Sequence, residues 1–268
     1  MPVKQIAVYL PIFSCLYTGN PTLTAMKQNN VLLACAFAVT AMFFACTNKS
    51  RPNTLTGDEQ KDGWVLLFDG QTTNGWHLYN KGNIKSNWTV RDGQLDCDPH
   101  IVIFHNDLVT EKAYANYDLR FEWKISKAGN SGVFINVQED TAYGTPWVTG
   151  PEYQLLDNEN SVDHNHNDTT RQAGCLYSLV ALKNHAAPKP FGEWNESRIL
   201  QQNGKVTFWL NCTLSAEEDL TSDRWKKLVA ASGLHTFPDF GKFTNGKIAL
   251  QDWNKGVSFR SIKIKELK

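Results

Sequence analysis

Apolar and polar residues alternate along 117–125. Tyr117, Leu119, Phe121, Trp123 and Ile125 fall on one side, and Asp118, Arg120, Glu122 and Lys124 on the other. A period of two belongs to a strand, and a clean alternation means one buried face and one wet face, as in an antiparallel sheet. The stretch 205–211 repeats the logic, with Val206, Phe208 and Leu210 opposite Lys205, Thr207 and Trp209. Similar patterns predict strands at 64–68, 87–93, 94–98, 131–138, 196–202, 247–252 and 257–264, and another within 150–158. Asp92-Gly93 and Asn203-Gly204 are hairpin turns by composition, since both residue pairs tolerate positive φ. In the last strand the apolar phase slips between Phe259 and Ile262, which predicts a bulge at Arg260-Ser261. One helix is predicted: Ser222 caps 223–232, Trp225, Leu228 and Val229 share a face, and Gly233 stops it. The expected fold is all-β, a two-sheet antiparallel sandwich or jelly roll spanning 63–268, with one short helix in an insertion.

The N-terminal region reads differently. No Asp or Glu precedes Asp58, and Val31–Ala45 is a run of apolar and small residues that follows Lys27 and ends at Cys46. This is the pattern of a secretory signal, too short for a membrane span of about 20 residues. Phe43-Phe44-Ala45-Cys46 reads as a relaxed lipobox with Cys46 as the lipidated first residue; a plain signal peptide cut near Ala45 is the alternative. Met26 with Lys27 makes a better start than anything upstream. Residues 1–46 are therefore read as leader and lipoprotein signal peptide with the true start at Met26, and 47–62 as a polar tether. The location implied is the cell envelope, at a periplasm-facing outer membrane, with membrane contact only through Cys46.

Charge narrows the partners. Lys and Arg number 27 and Asp and Glu 27, with no basic stripe, so nucleic acid is excluded as a partner. Nine Trp, eight Tyr and fourteen Phe suit a β-rich core and stacking on sugar rings. Cys97, Cys175 and Cys212 show no CxxC spacing, which argues against zinc and for free thiols.

Several segments together resemble one family. They are LLFDGQTTNGW (66–76), Trp88 to Leu95, YDLRFEWKISKAGNSGVFINV (117–137), GPEYQLLDN (150–158), AGCLYSL (173–179), KPFGEWNESRI (189–199) and LQDWNKGVSFRSIKIKEL (250–267). Their order and spacing, from about Trp64 to Lys268, are similar to the 3-keto-disaccharide hydrolase family. The resemblance implies a concanavalin-like or laminin-G-like jelly roll. It also implies a carbohydrate substrate whose glucose carbon 3 has been oxidised to a ketone by a separate sugar dehydrogenase. Two places depart from the family pattern. Leu250-Gln251-Asp252-Trp253-Asn254 stands where members often carry LQDHG, so an indole replaces an imidazole. The loop VDHNHND (162–168) differs from the commoner His-Pro-Asp, which leaves open whether His164 or His166 corresponds.

A 3-ketone acidifies the hydrogen on carbon 2, because the carbanion delocalises as an enolate. A base can then start an elimination that expels the glycosidic oxygen, and water addition completes a net hydrolysis. That chemistry needs one base, a donor for the enolate oxygen and an acid for the leaving group. Glu152 and Gln154 are two apart and share a strand face; the pair serves as base and hydroxyl-binding partner, or lies on a solvated outer face. His164 and His166 suit a base, a leaving-group acid or a metal ligand, and an exposed loop explains them nearly as well. No cofactor is demanded, and a divalent metal ion stays open. Asp157 orients an imidazole or caps a turn with Asn158. Arg171 holds a hydroxyl or enolate oxygen, or forms a surface ion pair. Trp194 and Asn195 offer an aromatic platform beside an amide, with a core Trp as the alternative. Asn130 lies in a small-residue turn that admits a ligand to the backbone. Tyr143 and Trp147 are expected in the pocket wall, and Gln251 and Asp252 at a strand end beside the cleft. The leading reading is a glycoside-cleaving enzyme acting on 3-keto sugars. The alternatives are a non-catalytic carbohydrate-binding jelly roll and a conventional glycosidase pairing Glu152 with Asp157 or Glu193.

Overall fold

The computed structural model describes residues 51–101, 106–162, 168–253 and 255–268. The leader, Cys46, His164 and His166 lie outside the described residues. In chain order come helix α1 (Gly57–Lys61) and strands β1 (Trp64–Leu66), β2 (Trp76–Leu78), β3 (Trp88–Arg91), β4 (Gln94–Cys97) and β5 (Leu108–Thr110). Strands β6 (Tyr117–Ile125), β7 (Asn130–Val137), β8 (Glu152–Leu156), β9 (Asn195–Gln202), β10 (Lys205–Leu210) and β11 (Thr213–Asp219) follow. Helix α2 (Asp223–Ala231), β12 (Lys247–Leu250) and β13 (Val257–Glu266) close the chain.

The strands form two antiparallel sheets. An eight-stranded sheet runs β11-β10-β9-β6-β13-β4-β3, with β1 added along β13. A five-stranded sheet runs β2-β5-β12-β7-β8. The inward residues of β6 are the alternating apolar set read from the sequence: Tyr117, Leu119, Phe121, Trp123 and Ile125 are all buried in the main core. Tyr153 crosses the sandwich, its ring edge-on to Phe121 at 5.8 Å and to Phe208 at 5.0 Å, with its hydroxyl bonded to Ser197 Oγ.

The turns behave as their residues require. Asp92 and Gly93 both take positive φ between β3 and β4, and Asn203 and Gly204 do so between β9 and β10. The expected bulge is present: the β13–β6 register shifts between Arg260 and Lys263, with Ser261 at φ 53. Ser222 caps α2 by accepting from the Trp225 backbone N–H, as expected.

Two expectations are corrected. The segment 47–62 is not a loose tether over its described part, 51–62. Thr56 and Glu59 form a capping box on α1, Asn53 bonds Ser261 and Gly93, and Lys263 pairs with Glu59. Polar composition hid a segment held by side-chain pairing rather than by apolar burial. For the same reason α2 is not alone, because α1 precedes the first strand.

Strand β7 carries one further irregularity. Asn136 sits at φ 58 and turns its amide inward, where Nδ2 donates to Gln201 Oε1 at 2.8 Å. Gln201 Nε2 also reaches the Ala115 and Thr244 carbonyls. This buried amide pair ties the two sheets together; losing either member strands the other at a cost of about 1–3 kcal/mol.

A candidate active site on the outer face of the five-stranded sheet

Alternation along the five-stranded sheet sends one residue set inward and the next outward. Val133, Leu155, Leu250, Leu108 and Leu78 point into the main core. Tyr79, Val109, Phe134 and Ala249 form a second apolar cluster on the opposite face, with Trp147 packed against it. Cross-strand register then lines up a row over this face. Phe134 pairs with Glu152 and Ala249, Ala249 with Val109, and Val109 with His77. One step along, Gly132 pairs with Gln154, and the Gln251 N–H donates to the Gly132 carbonyl. Asp107, directly before β5, faces the same side, with Oδ1 accepting from the Asp252 backbone N–H at 2.8 Å.

A cavity of ≈ 230 Å³ opens on this row. Its lining includes Asn130, Phe134, Trp147, Glu152, Gln154, Tyr177, Leu234, Phe240, Gln251 and Trp253. Gly132 explains how Glu152 lies in it. A Cβ built on Gly132 would meet Glu152 Oε1 at 2.0 Å, so the carboxylate rests over the one position in the row without a side chain. No described donor bonds that carboxylate. Burial, and then the negative charge of Asp107, push its pKa well above the usual carboxylate range.

Asp107 is itself pushed up to about 7 from 3.8. Burial dominates, the Asp252 N–H bond opposes it, and the Asp252 charge adds to it. The folded value lies above the unfolded one, so folding favours the protonated form. That contribution is complete below about pH 4 and is lost as pH rises towards about 7. Asp107→Asn keeps the acceptor for Asp252 and removes the charge. We expect the variant's melting temperature, relative to wild type, to be higher at about pH 8 than at about pH 5; a pH-independent difference overturns this assignment.

Gln154 and Gln251 complete the polar end. They are 2 % and 7 % exposed, and their side-chain oxygens lack a hydrogen-bond partner although buried. An orphaned buried amide oxygen costs about 1–3 kcal/mol, a penalty that a ligand hydroxyl relieves.

Five of the residues read from the sequence thus meet in one cavity: Glu152, Gln154, Asn130, Trp147 and Gln251. Others do not line it. Asp157 takes the turn role given as its alternative: its oxygens accept from the backbone N–H groups of Ala128, Glu159 and Asn160 and from the Asn160 amide. Trp194 lies on the outside of the larger sheet, with Arg260 stacked 4.0 Å and Lys124 4.9 Å from its ring centroid. Asn195 is fully buried and bonds Lys189 N and Asn211 Nδ2. Tyr143 donates to Asp239 at 2.9 Å, and its carbonyl accepts from Tyr79 and Asn80. Arg171 pairs with Asp168 and stacks 5.7 Å from the Tyr177 ring, one residue removed from the lining. Asp252 accepts from Asn87 and positions Asp107 through its backbone. Glu193 is exposed, so neither carboxylate paired with Glu152 in the glycosidase alternative shares its cavity.

Sequence reasoning missed Asp107, Phe134, Tyr177, Leu234 and Phe240. Phe134 alone carried a signal, since period two through Gly132 and Phe134 marks the same face as Glu152. His164 and His166 lie outside the described residues. Among the described residues no group of three or more His, Cys, Asp or Glu side chains is arranged to hold a metal ion. The described cysteines are free, with Cys97 and Cys175 buried and Cys212 exposed.

Residues 63–265 match the model of the 3-keto-alpha-glucoside-1,2-lyase-like domain. The chain belongs to that family. A 3-keto-disaccharide hydrolase from Bacteroides thetaiotaomicron is 34% identical to this chain over 236 residues, covering 77% of this chain and 79% of the relative. A Parabacteroides distasonis protein described as a glycosyl hydrolase superposes with a TM-score of 0.75 at 35% identity, over 81% of this chain and 100% of that one. A second protein of that organism and description superposes at 0.58 with 23% identity, over 76% and 99%, and shows the shared fold. The jelly-roll expectation and the family resemblance both hold for this chain.

Proposed function

We propose that this protein cleaves 3-keto-glycosides by forming an enolate, with Glu152 as the base. The observation that carries the reading is a half-buried carboxylate, without a described hydrogen-bond donor, lining one cavity with two orphaned amide oxygens. Its raised pKa matches it to a weak carbon acid. Glu152 takes the proton from carbon 2, and the C–H electron pair moves into the enolate. The enolate then forms the C1–C2 double bond as the C1–O bond breaks, and the aglycone oxygen leaves carrying the proton that Glu152 took from carbon 2. Water added across that double bond returns the keto sugar. Gln154, Gln251 and Asn130 hold the hydroxyls and the enolate oxygen. Asp107 is the neighbour whose charge tunes Glu152. The names of the Bacteroides and Parabacteroides relatives support a carbohydrate substrate. The reading places a separate dehydrogenase, which oxidises carbon 3, before this step.

The test is turnover of a 3-keto-disaccharide in deuterated water, followed by NMR. The expected result is cleavage of the keto sugar with deuterium at carbon 2, and no cleavage of the unoxidised disaccharide. Cleavage of the unoxidised sugar, or cleavage of the keto sugar without exchange at carbon 2, rejects the enolate route.

A further inference from the structure

The cavity is divided along the strand direction, and Glu152 marks the division. On one side lie Asn130, Gln154 and Gln251, with Trp253 at the rim, 49 % exposed. On the other side the wall is Trp147, Leu234 and Phe240. Trp147 of this part comes from the connection between β7 and β8, and Leu234 and Phe240 from the segment between β11 and β12, which meets that connection through the Gly241 N–H bond to the Thr149 carbonyl and through Phe237, edge-on to Trp147 at 4.7 Å. The only polar side-chain atom among those three wall residues is the Trp147 indole N–H.

The orphaned amides fix which end takes the sugar. Two buried oxygens without partners favour the occupant rich in hydroxyls, and Trp253 supplies a face for the ring. With the keto sugar there and Glu152 at carbon 2, the bond to be broken at carbon 1 points across Glu152 into the apolar arm. A second sugar in that arm would bury several hydroxyls against aromatic and aliphatic carbon, with the Trp147 N–H and the hydroxyl of Tyr177 beside Glu152 as the side-chain donors near it. An apolar ring loses nothing there and gains by burial.

We infer that the aglycone expelled by this protein is an apolar or aromatic alcohol, received by the arm of Trp147, Leu234 and Phe240. The inference rests on the 3-keto-glycoside reading given above. It is tested by comparing methyl, benzyl and glucosyl 3-keto-glucosides of one anomeric series, since methanol and benzyl alcohol leave with similar acidity. We expect kcat/KM for the benzyl compound to exceed that for the methyl compound by at least about tenfold, with the glucosyl compound no better than methyl. In Leu234→Asn the benzyl-to-methyl ratio should fall to about threefold or less. A benzyl-to-methyl ratio near one in wild type, or a preference for the glucosyl compound, overturns the inference while leaving the function standing. If no keto-glucoside turns over, the function fails, and calorimetry with unoxidised benzyl and methyl glucosides still decides the arm. Tighter benzyl binding that weakens in Leu234→Asn supports it, and equal binding refutes it.

Discussion

Glu152→Gln is expected to lower kcat on a 3-keto-glucoside by ~10²–10⁴-fold, the contribution typical of a positioned base. The substitution is nearly isosteric and touches little else. No described donor bonds the carboxylate, so no hydrogen bond of the fold is lost. It also removes a charge that folding has to desolvate beside Asp107. Stability should therefore hold or rise at about pH 8, where the native carboxyl is most costly to bury. A variant that folds and retains activity within about threefold of wild type would move the base elsewhere. A variant that loses both fold and activity would contradict the placement of Glu152 outside the structural framework.

Gly132→Ala is the second large expected effect, and its signature is different. The added Cβ would meet Oε1 at 2.0 Å, Cδ at 2.7 Å and Cγ at 2.8 Å of Glu152, so most of that side chain must shift. Gly132 lies within β7 and is not among the glycines with positive φ, so the backbone accepts alanine without strain. An alanine also lowers the entropy of the unfolded chain, a gain of about 0.4–1 kcal/mol where the conformation is compatible. We expect kcat to fall about 10²-fold from a misplacement on the order of 1 Å, with a melting temperature near wild type. Unchanged kcat would show that the carboxylate works from another position. A large loss of stability would show that the space over Gly132 is structural.

The long strands were readable because each has one wet face. Alternation in β6, β9 and β10 survives to the surface, and the pairs Asp92-Gly93 and Asn203-Gly204 mark their own turns. Strands β2 and β5 escaped because they are three residues long and buried on both sides, so no alternation remains to be seen. Strand β11 escaped because its second half, Glu217, Glu218 and Asp219, is a run of three acidic residues in which no apolar alternation shows. The site was legible where it follows one strand: Glu152 and Gln154 share a face in any register. Asp107 was not, because it meets the site only through β12, which pairs with β5 on one side and β7 on the other. Trp194 was misjudged because an aromatic beside an amide carries the same letters whether it faces a sugar or a guanidinium.

The long excursion between β11 and β12 has a bearing on how relatives diverge. It is held at Thr149, by the Tyr143–Asp239 and Gln201–Thr244 hydrogen bonds, and by Trp225 and Phe240 in the main core, while Glu152 and Gln154 sit on a paired strand beside it. Leu234, only partly buried, can change there without replacing any residue of β7, β8 or β12. On the proposed function, descendants of one ancestor can thus trade the alcohol they release largely by remodelling one graft.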